Sequence, residues 1–278
     1  MTKIKLVATD LDGTFLNNDK TIPERNREAL EILGKNKVIR VIATGRNLRK
    51  VREVIPDTVP FDYIIFSSGA GIYDWQRNRH IYKLNIPATI SQQLASYLIA
   101  KDLDFNAFRA VPDNHFLWYH RGSGASGEFE RYLTFHQSYA SVMPDVDNLE
   151  KNLCQFLVIL PENPELFIFL KNDIEEKFPE IGVIRSTSPL GTGFIWMEIF
   201  NKKVSKGNAL SVLCKRHGLS RDEIVGIGND YNDMELLKFT NHSFLVSNSP
   251  AELKQHFRAA PSNEESAFSY AVSLFFKH

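Results

Sequence analysis

The chain has 278 residues, 43% hydrophobic and 24% charged, with 33 Lys plus Arg balanced by 33 Asp plus Glu. Zero formal net charge removes any global electrostatic reason to expect nucleic acid or an anionic membrane as partner, and no run of ~18 apolar residues exists to span a bilayer. Two cysteines, Cys154 and Cys214, are too few for a disulfide framework and fit a reducing compartment, so the chain reads as cytoplasmic. The first apolar run, "IKLVAT" (4–9), is cut short by Asp10 and Asp12, which makes it neither a signal peptide nor a membrane span.

That run is the first predicted strand. A helix is expected over Thr21–Lys35, opened by the capping-box pair Thr21 and Glu24, with Ala29, Leu30 and Leu33 on one side. "VIRVIA" (38–43) leads into Thr44-Gly45-Arg46, and "YIIF" (63–66) into "SSGAG". Apolar at nearly every position, these runs predict strands buried on both faces, as in a parallel sheet. Over 83–192 the pattern changes. A strand-like piece (82–86), a helix (91–101), "FNAFRAV", "HFLWYH", the loop "RGSGASGE", "QFLVIL", a helix near 164–177 and "GVIRST" predict an antiparallel sheet with helices on one face. After about residue 200 alternation resumes with "IVGI" (224–227), "SFLV" (243–246) and a helix over 249–256, begun by Ser249, Pro250 and Glu252. The prediction is a doubly wound, parallel-sheet α/β core formed by 1–82 and 193–278, with an α+β domain, 83–192, inserted into it.

Ligands of open parallel sheets bind beyond the carboxyl ends of the strands. Four predicted strand ends carry polar residues: Asp10 and Asp12, Thr44, Ser67 and Ser68, and the run Asn229-Asp230-Tyr231-Asn232-Asp233. Asp10 and Asp12, two apart, point to one side of an extended chain. Two carboxylates ~4 Å apart repel by about 4 kcal/mol at an effective dielectric of ~20. Adding Asp230 or Asp233 calls for a cation, and an all-oxygen cluster suits Mg²⁺. Each piece alone has a plainer reading: "DLDGT" as a turn with solvated aspartates, "TGR" as ordinary loop, "NDYND" as an elaborate helix cap, Lys206 as a surface lysine. Their order and spacing together favour a site.

Taken together these motifs resemble the haloacid-dehalogenase-superfamily phosphohydrolases, in particular the Cof-like group with a type IIB α+β cap. Asp10-Leu11-Asp12-Gly13-Thr14 matches the first motif DxDGT, Thr44 in "IATGR" the second, Lys206 in "VSKGNAL" the third, and Gly228–Asp233 the fourth; "SGAGIYD" is similar to a further family stretch. The likeness runs from residue 4 to about 272. It implies a Rossmann-like core whose cap closes over the crevice and selects the leaving group. It also implies Mg²⁺, a small phosphorylated metabolite as partner, and two-step phosphoryl transfer. Asp10 would be the nucleophile forming an aspartyl-phosphate, and Asp12 the acid and base, lending its carbonyl to the metal. Lys206, Thr44, Gly45 and Asn232 would hold phosphate oxygens, while Arg46 would lie at the mouth, toward cap or substrate.

The fourth motif departs from the family. Where its first aspartate usually ligates the metal, this chain has Asn229, with Asp230 next door. The expected metal set is Asp10, Asp12, Asn229 and Asp233, the last as support; the competing register makes Asp230 the ligand. Sugar phosphates are the expected substrates, followed by nucleotides and cofactor phosphates. A phosphomutase or phosphotransferase would share the same motifs, and a non-catalytic phosphosugar sensor is favoured by Asn229 alone. In "HFLWYHRGSG", Phe116, Trp118 and His120 would share a strand face, either stacking on substrate or packing within the cap. His115 and His120 pair with no cysteine that would suggest zinc.

Overall fold

A computed structural model describes residues 3–124, 126–149, 152–188 and 193–276. Contacts divide the chain into two compact units, residues 1–82 with 205–278, and residues 83–204. Strand β1 (Leu6–Thr9) is buried along its whole length and leads through an irregular turn at 11–15 to helix α1 (Glu24–Lys35). Then come β2 (Ile39–Ala43), the short helix α2 (Leu48–Arg52), β3 (Tyr63–Phe66), β4 (Gly71–Asp74) and β5 (Arg79–Lys83).

The second unit continues with α3 (Ala88–Ala100), β6 (Phe105–Arg109), β7 (Leu117–His120), α4 (Gly127–His136) and β8 (Ala140–Val142). It closes with β9 (Leu153–Pro161), α5 (Pro164–Lys177), β10 (Ile181–Thr187) and β11 (Phe194–Asn201). The chain then returns to the first unit through α6 (Lys206–His217), β12 (Ile224–Gly228), α7 (Met234–Phe239), β13 (His242–Val246), β14 (Arg258–Ala260) and α8 (Ala267–Ser273).

The first unit holds an eight-stranded sheet in the order β14-β13-β12-β1-β2-β3-β4-β5. From β14 to β3 the pairings are parallel, and β4 runs antiparallel to β3. Alternate residues Leu6, Ala8, Val41, Ala43 and Ile65 pack with Ala209, Leu210 and Leu213 of α6. Helix α1 packs on α8, with Phe15 edge-on to both Phe61 (5.2 Å) and Phe268 (5.0 Å). The result is the doubly wound α/β core. Because β12, β1 and β2 are parallel neighbours, their carboxyl ends lie side by side, and that is what assembles the site.

The second unit has a six-stranded sheet, β10-β11-β9-β6-β7-β8, antiparallel except for the parallel β7–β8 pair. Helices α3 and α5 bury Leu94, Leu98, Phe167, Leu170 and Ile174 against Phe105, Phe156, Val158, Met197 and Ile199. This is the α+β insertion.

Three local expectations are corrected. First, "FIWMEIFN" is not the start of the returning core: β11 pairs with β9 and β10, so the insertion extends to about residue 204, while the expected end at 192 lies outside the described residues, as does Ala125 of the loop "RGSGASGE". Second, the strand expected at 82–86 is β5, shifted to 79–83 beside β4 in the core sheet; Ile86 only bridges Leu153. Third, neither predicted N-cap caps a helix. The Thr21 hydroxyl donates to Asp19 Oδ1 (2.6 Å) and α1 starts after Pro23. Ser249 Oγ donates to the Val246 carbonyl (2.6 Å), and a 3₁₀ segment, 251–256, begins after Pro250. Short hydroxyls bond nearby backbone or side chains as readily as a helix end. The aromatic rings near β7 follow the packing alternative: Trp118 lies against the unit's core, His120 stacks on Phe105 at 5.3 Å, and the Arg109 guanidinium lies 5.4 Å from the centre of the Phe116 ring.

Candidate active site

Asp10 follows the last residue of β1, and its backbone N–H donates to the Ile227 carbonyl (2.8 Å), which locks the end of β1 to β12. Its carboxylate is buried and accepts a hydrogen bond from Lys206 Nζ at 2.7 Å. Lys206 opens α6, whose N-cap Ser205 accepts from Asn208 N (3.0 Å). A lysine in the first turn of a helix opposes the helix dipole, and this one is also fully buried. Three oxygens offset both costs: Asp10 Oδ1, Asp233 Oδ1 (2.5 Å) and Asn232 Oδ1 (3.1 Å). Burial acts to strip the Lys206 proton, but the charges of Asp10 and Asp233 outweigh it and hold the ammonium well above the ordinary lysine range. Burial, with Asp233 adding to it, pushes the Asp10 carboxyl up, against the pull of Lys206.

Asp12 does not face Asp10 as a second bare carboxylate. It accepts both arms of Arg46, Nε at 2.6 Å and Nη2 at 2.7 Å, and pairs with Lys20 Nζ at 3.0 Å. Burial raises its carboxyl, yet the Arg46 bonds and charge prevail and set it below the usual carboxylate range. Arg46, expected at the mouth, is thus spent on Asp12; its reach back across the loop is what the reading from sequence lacked. Thr44 is buried at the end of β2, where its Oγ1 accepts from Arg46 N (3.1 Å). Gly45 lies between them in the β2–α2 loop. Ser67 and Ser68, both at positive φ, tie β3 to this loop through Ser67 N to the Arg46 carbonyl (2.8 Å) and Ser68 N to the Thr44 carbonyl (3.0 Å).

The turn after β12 gives Asn229 and Asp230 different surroundings. Asp230 caps the N–H of Asp233, and Asp233 Oδ2 accepts from Asn229 N (2.8 Å) and Asp230 N (3.1 Å). With Lys206 on its other oxygen, Asp233 is a buried anchor for the lysine and the turn. Asn229 is the residue that approaches Asp10: one end of its amide lies 3.2 Å from Asp10 Oδ2, 3.2 Å from the Asp12 carbonyl oxygen and 3.1 Å from Thr14 Oγ1. Gly13, at φ +72°, makes room for it, since a Cβ there would stand 2.7 Å from the amide. Among the described residues no group of three or more His, Cys, Asp or Glu gathers as a metal cluster. The oxygens that converge are instead one carboxylate, one carbonyl and one amide. Their 3.2 Å spacing to the amide is close to the ~3.0 Å between adjacent ligands in an octahedron of ~2.1 Å bonds, so this set fits Mg²⁺.

Two contributors were missed. Asn248 donates to the Gly13 carbonyl (2.9 Å), fixing the peptide between Gly13 and Thr14; it follows β13, so the same strand-end rule that singled out Asn229 would have found it. Lys20, in an ordinary polar turn, gave no signal.

Residues 7–272 match the haloacid dehalogenase-like hydrolase family. The chain belongs to that family. It is a phosphohydrolase of the haloacid dehalogenase type, with the α/β core and inserted cap described above. It is 24% identical to a *Bacillus subtilis* 5-amino-6-(5-phospho-D-ribitylamino)uracil phosphatase, covering 97% of each chain, and 27% identical to a putative phosphatase of *Buchnera aphidicola*, covering 98% of each. The solved structure of the phosphatase BT1666 from *Bacteroides thetaiotaomicron* superimposes with a TM-score of 0.81 at 19% identity, over 98% of this chain and 95% of that one. No described helix is long and apolar enough to cross a membrane.

Proposed function

We propose that the chain is a Cof-like, Mg²⁺-dependent phosphatase of small phosphomonoesters, with sugar phosphates foremost, working through a phosphorylated Asp10. The observation that carries this is the buried Asp10 carboxylate at the end of β1, held on Oδ1 by Lys206 and approached on Oδ2 by Asn229. Asp10, the Asp12 carbonyl and the Asn229 amide oxygen would hold the ion. When bound, it supplies the positive charge that lets a carboxylate approach a phosphate dianion.

In the first half-reaction Asp10 Oδ1 attacks phosphorus, an acyl-phosphate bond forms, and the bond to the leaving alcohol breaks. The alcohol oxygen takes a proton from Asp12. Water then attacks phosphorus, Asp12 accepts its proton, and inorganic phosphate leaves with Asp10 restored. Paired with Arg46 and Lys20, Asp12 stands ionised, the form suited to the second half-reaction. Donating a proton in the first requires it to part from them and take up a proton from solvent, which the water of the second half-reaction then returns to it. Lys206 stays protonated throughout and holds Asp10 and the transferring group; the Thr44 hydroxyl and the Gly45 and Asn232 amides are the donors assigned to the phosphate oxygens.

The test is phosphate release from a panel of sugar phosphates, nucleotides, p-nitrophenyl phosphate and the ribitylamino-uracil phosphate named for the *B. subtilis* relative. Mg²⁺ and EDTA are compared, with Asp10→Asn alongside. Release that needs both Mg²⁺ and Asp10 is expected. Transfer of the phosphoryl group to a sugar, without free phosphate, would mark a mutase, and undiminished activity of folded Asp10→Asn would remove the nucleophile. The buried thiols of Cys154 and Cys214 agree with the cytoplasm as the proposed location.

A further inference from the structure

The amide of Asn229 has two chemically different ends, and only one fits among Asp10 Oδ2, the Asp12 carbonyl and Thr14 Oγ1 when nothing lies between them. Asp10 Oδ2 and the Asp12 carbonyl accept hydrogen bonds and, with Asp10 ionised, donate none. With the amide nitrogen inward, its two hydrogens serve both oxygens, each at 3.2 Å. With the oxygen inward, three oxygens converge and require a cation. The Thr14 hydroxyl donates to an inward Oδ1 at 3.1 Å; beside an inward nitrogen, whose two hydrogens serve the other two oxygens, it can only share one of them.

We propose that Asn229 is a two-state element of the metal site. In the metal-free protein its NH₂ turns inward and bridges Asp10 and the Asp12 carbonyl where a cation would stand; on cation binding the amide turns over and offers Oδ1 as a ligand. This deepens the Mg²⁺-dependent reading of the same site and rests on it. An aspartate at this position has no donor end, so it leaves the empty site with a further negative charge beside Asp10. Asn229 therefore stabilises the empty site and weakens the filled one, by withholding a charge and by holding bonds that the cation must displace.

The experiment compares thermal melting of the wild type and Asn229→Asp in EDTA and across a Mg²⁺ titration. The variant should melt a few degrees lower in EDTA, gain more from Mg²⁺, and reach half-effect at a Mg²⁺ concentration lower by about tenfold or more. A second reading uses the wild type alone: the Asn229 side-chain ¹⁵N–¹H₂ resonances, identified by their loss in the Mg²⁺-loaded variant, should move on Mg²⁺ addition as the inward bonds are released. This holds even if the variant does not fold without metal. Equal melting in EDTA with equal Mg²⁺ midpoints, or an unmoved amide, overturns the inference. Asp10-dependent phosphate release with an unmoved amide would leave the phosphatase reading standing and remove this one. A Mg²⁺-driven amide shift without phosphate release from any ester would do the reverse.

Discussion

Lys206 is the residue on which the site's charge balance turns. It is a buried cation between two buried carboxylates, and such a group is costly to remove because its partners remain. Lys206→Met should lower unfolding free energy by roughly 3–5 kcal/mol, read by urea denaturation at pH 7. Part of the loss should return as pH falls and Asp10, whose carboxyl burial already pushes up, takes up a proton. In the wild type the folded pKa of Lys206 is raised, so its contribution is complete through acid and neutral pH. It is lost only as pH rises through that raised value, above the ordinary lysine range. Read alone, Lys206 in "VSKGNAL" passes for a surface lysine, and only the family resemblance singled out this buried residue, whereas Asp10 and Asn229 stood out at strand ends. Arg46 and Lys20 were not legible as partners of Asp12. Long side chains leaving irregular loops follow no periodicity, so their direction is set only by the folded surroundings.

At the level of elements, the first turn of α6 is positioned by the tight turn after β3. Gly69 sits at φ +107°, and a Cβ there would lie 2.3 Å from the Ser205 carbonyl oxygen, backbone that cannot swing aside. Gly69→Ala should therefore cost about 1–3 kcal/mol in thermal or urea melts and reduce turnover as well, because Ser205 precedes Lys206. The strands that carry the site were readable because burial on both faces leaves them continuously apolar: β1, β2, β3, β12 and β13 fall on the predicted runs. What escaped was of another kind. "RHIYK" of β5 is an edge strand whose polar residues mask its extended backbone, and the alternation of Ile195, Met197 and Ile199 with Trp196 and Glu198 in β11 went unread. That missed alternation displaced the end of the insertion by about a dozen residues.

For the whole molecule, the two units have separate sheets and separate apolar clusters, with the second uninterrupted in sequence. Residues 84–204 expressed alone should fold, giving a cooperative thermal melt and a far-ultraviolet spectrum with both helix and strand. A non-cooperative melt of that fragment would show that its cluster does not suffice.

In the core sheet β1 lies between β2 and β12, and Leu6 of β1 pairs with Ile224 of β12, far along the chain. During synthesis this has a temporal meaning. When β1 leaves the ribosome, β2 soon follows, but its other edge stays open until the whole insertion and α6 have been made. Domains fold as units on emergence, so the contiguous insertion can be complete while its host is still half built. Through that interval Asp10 has neither Lys206 nor Asn229 beside it. The nascent chain thus carries Asp10, the proposed nucleophile, long before it carries a site, and the proposed chemistry can begin only when the last third of the polypeptide is in place.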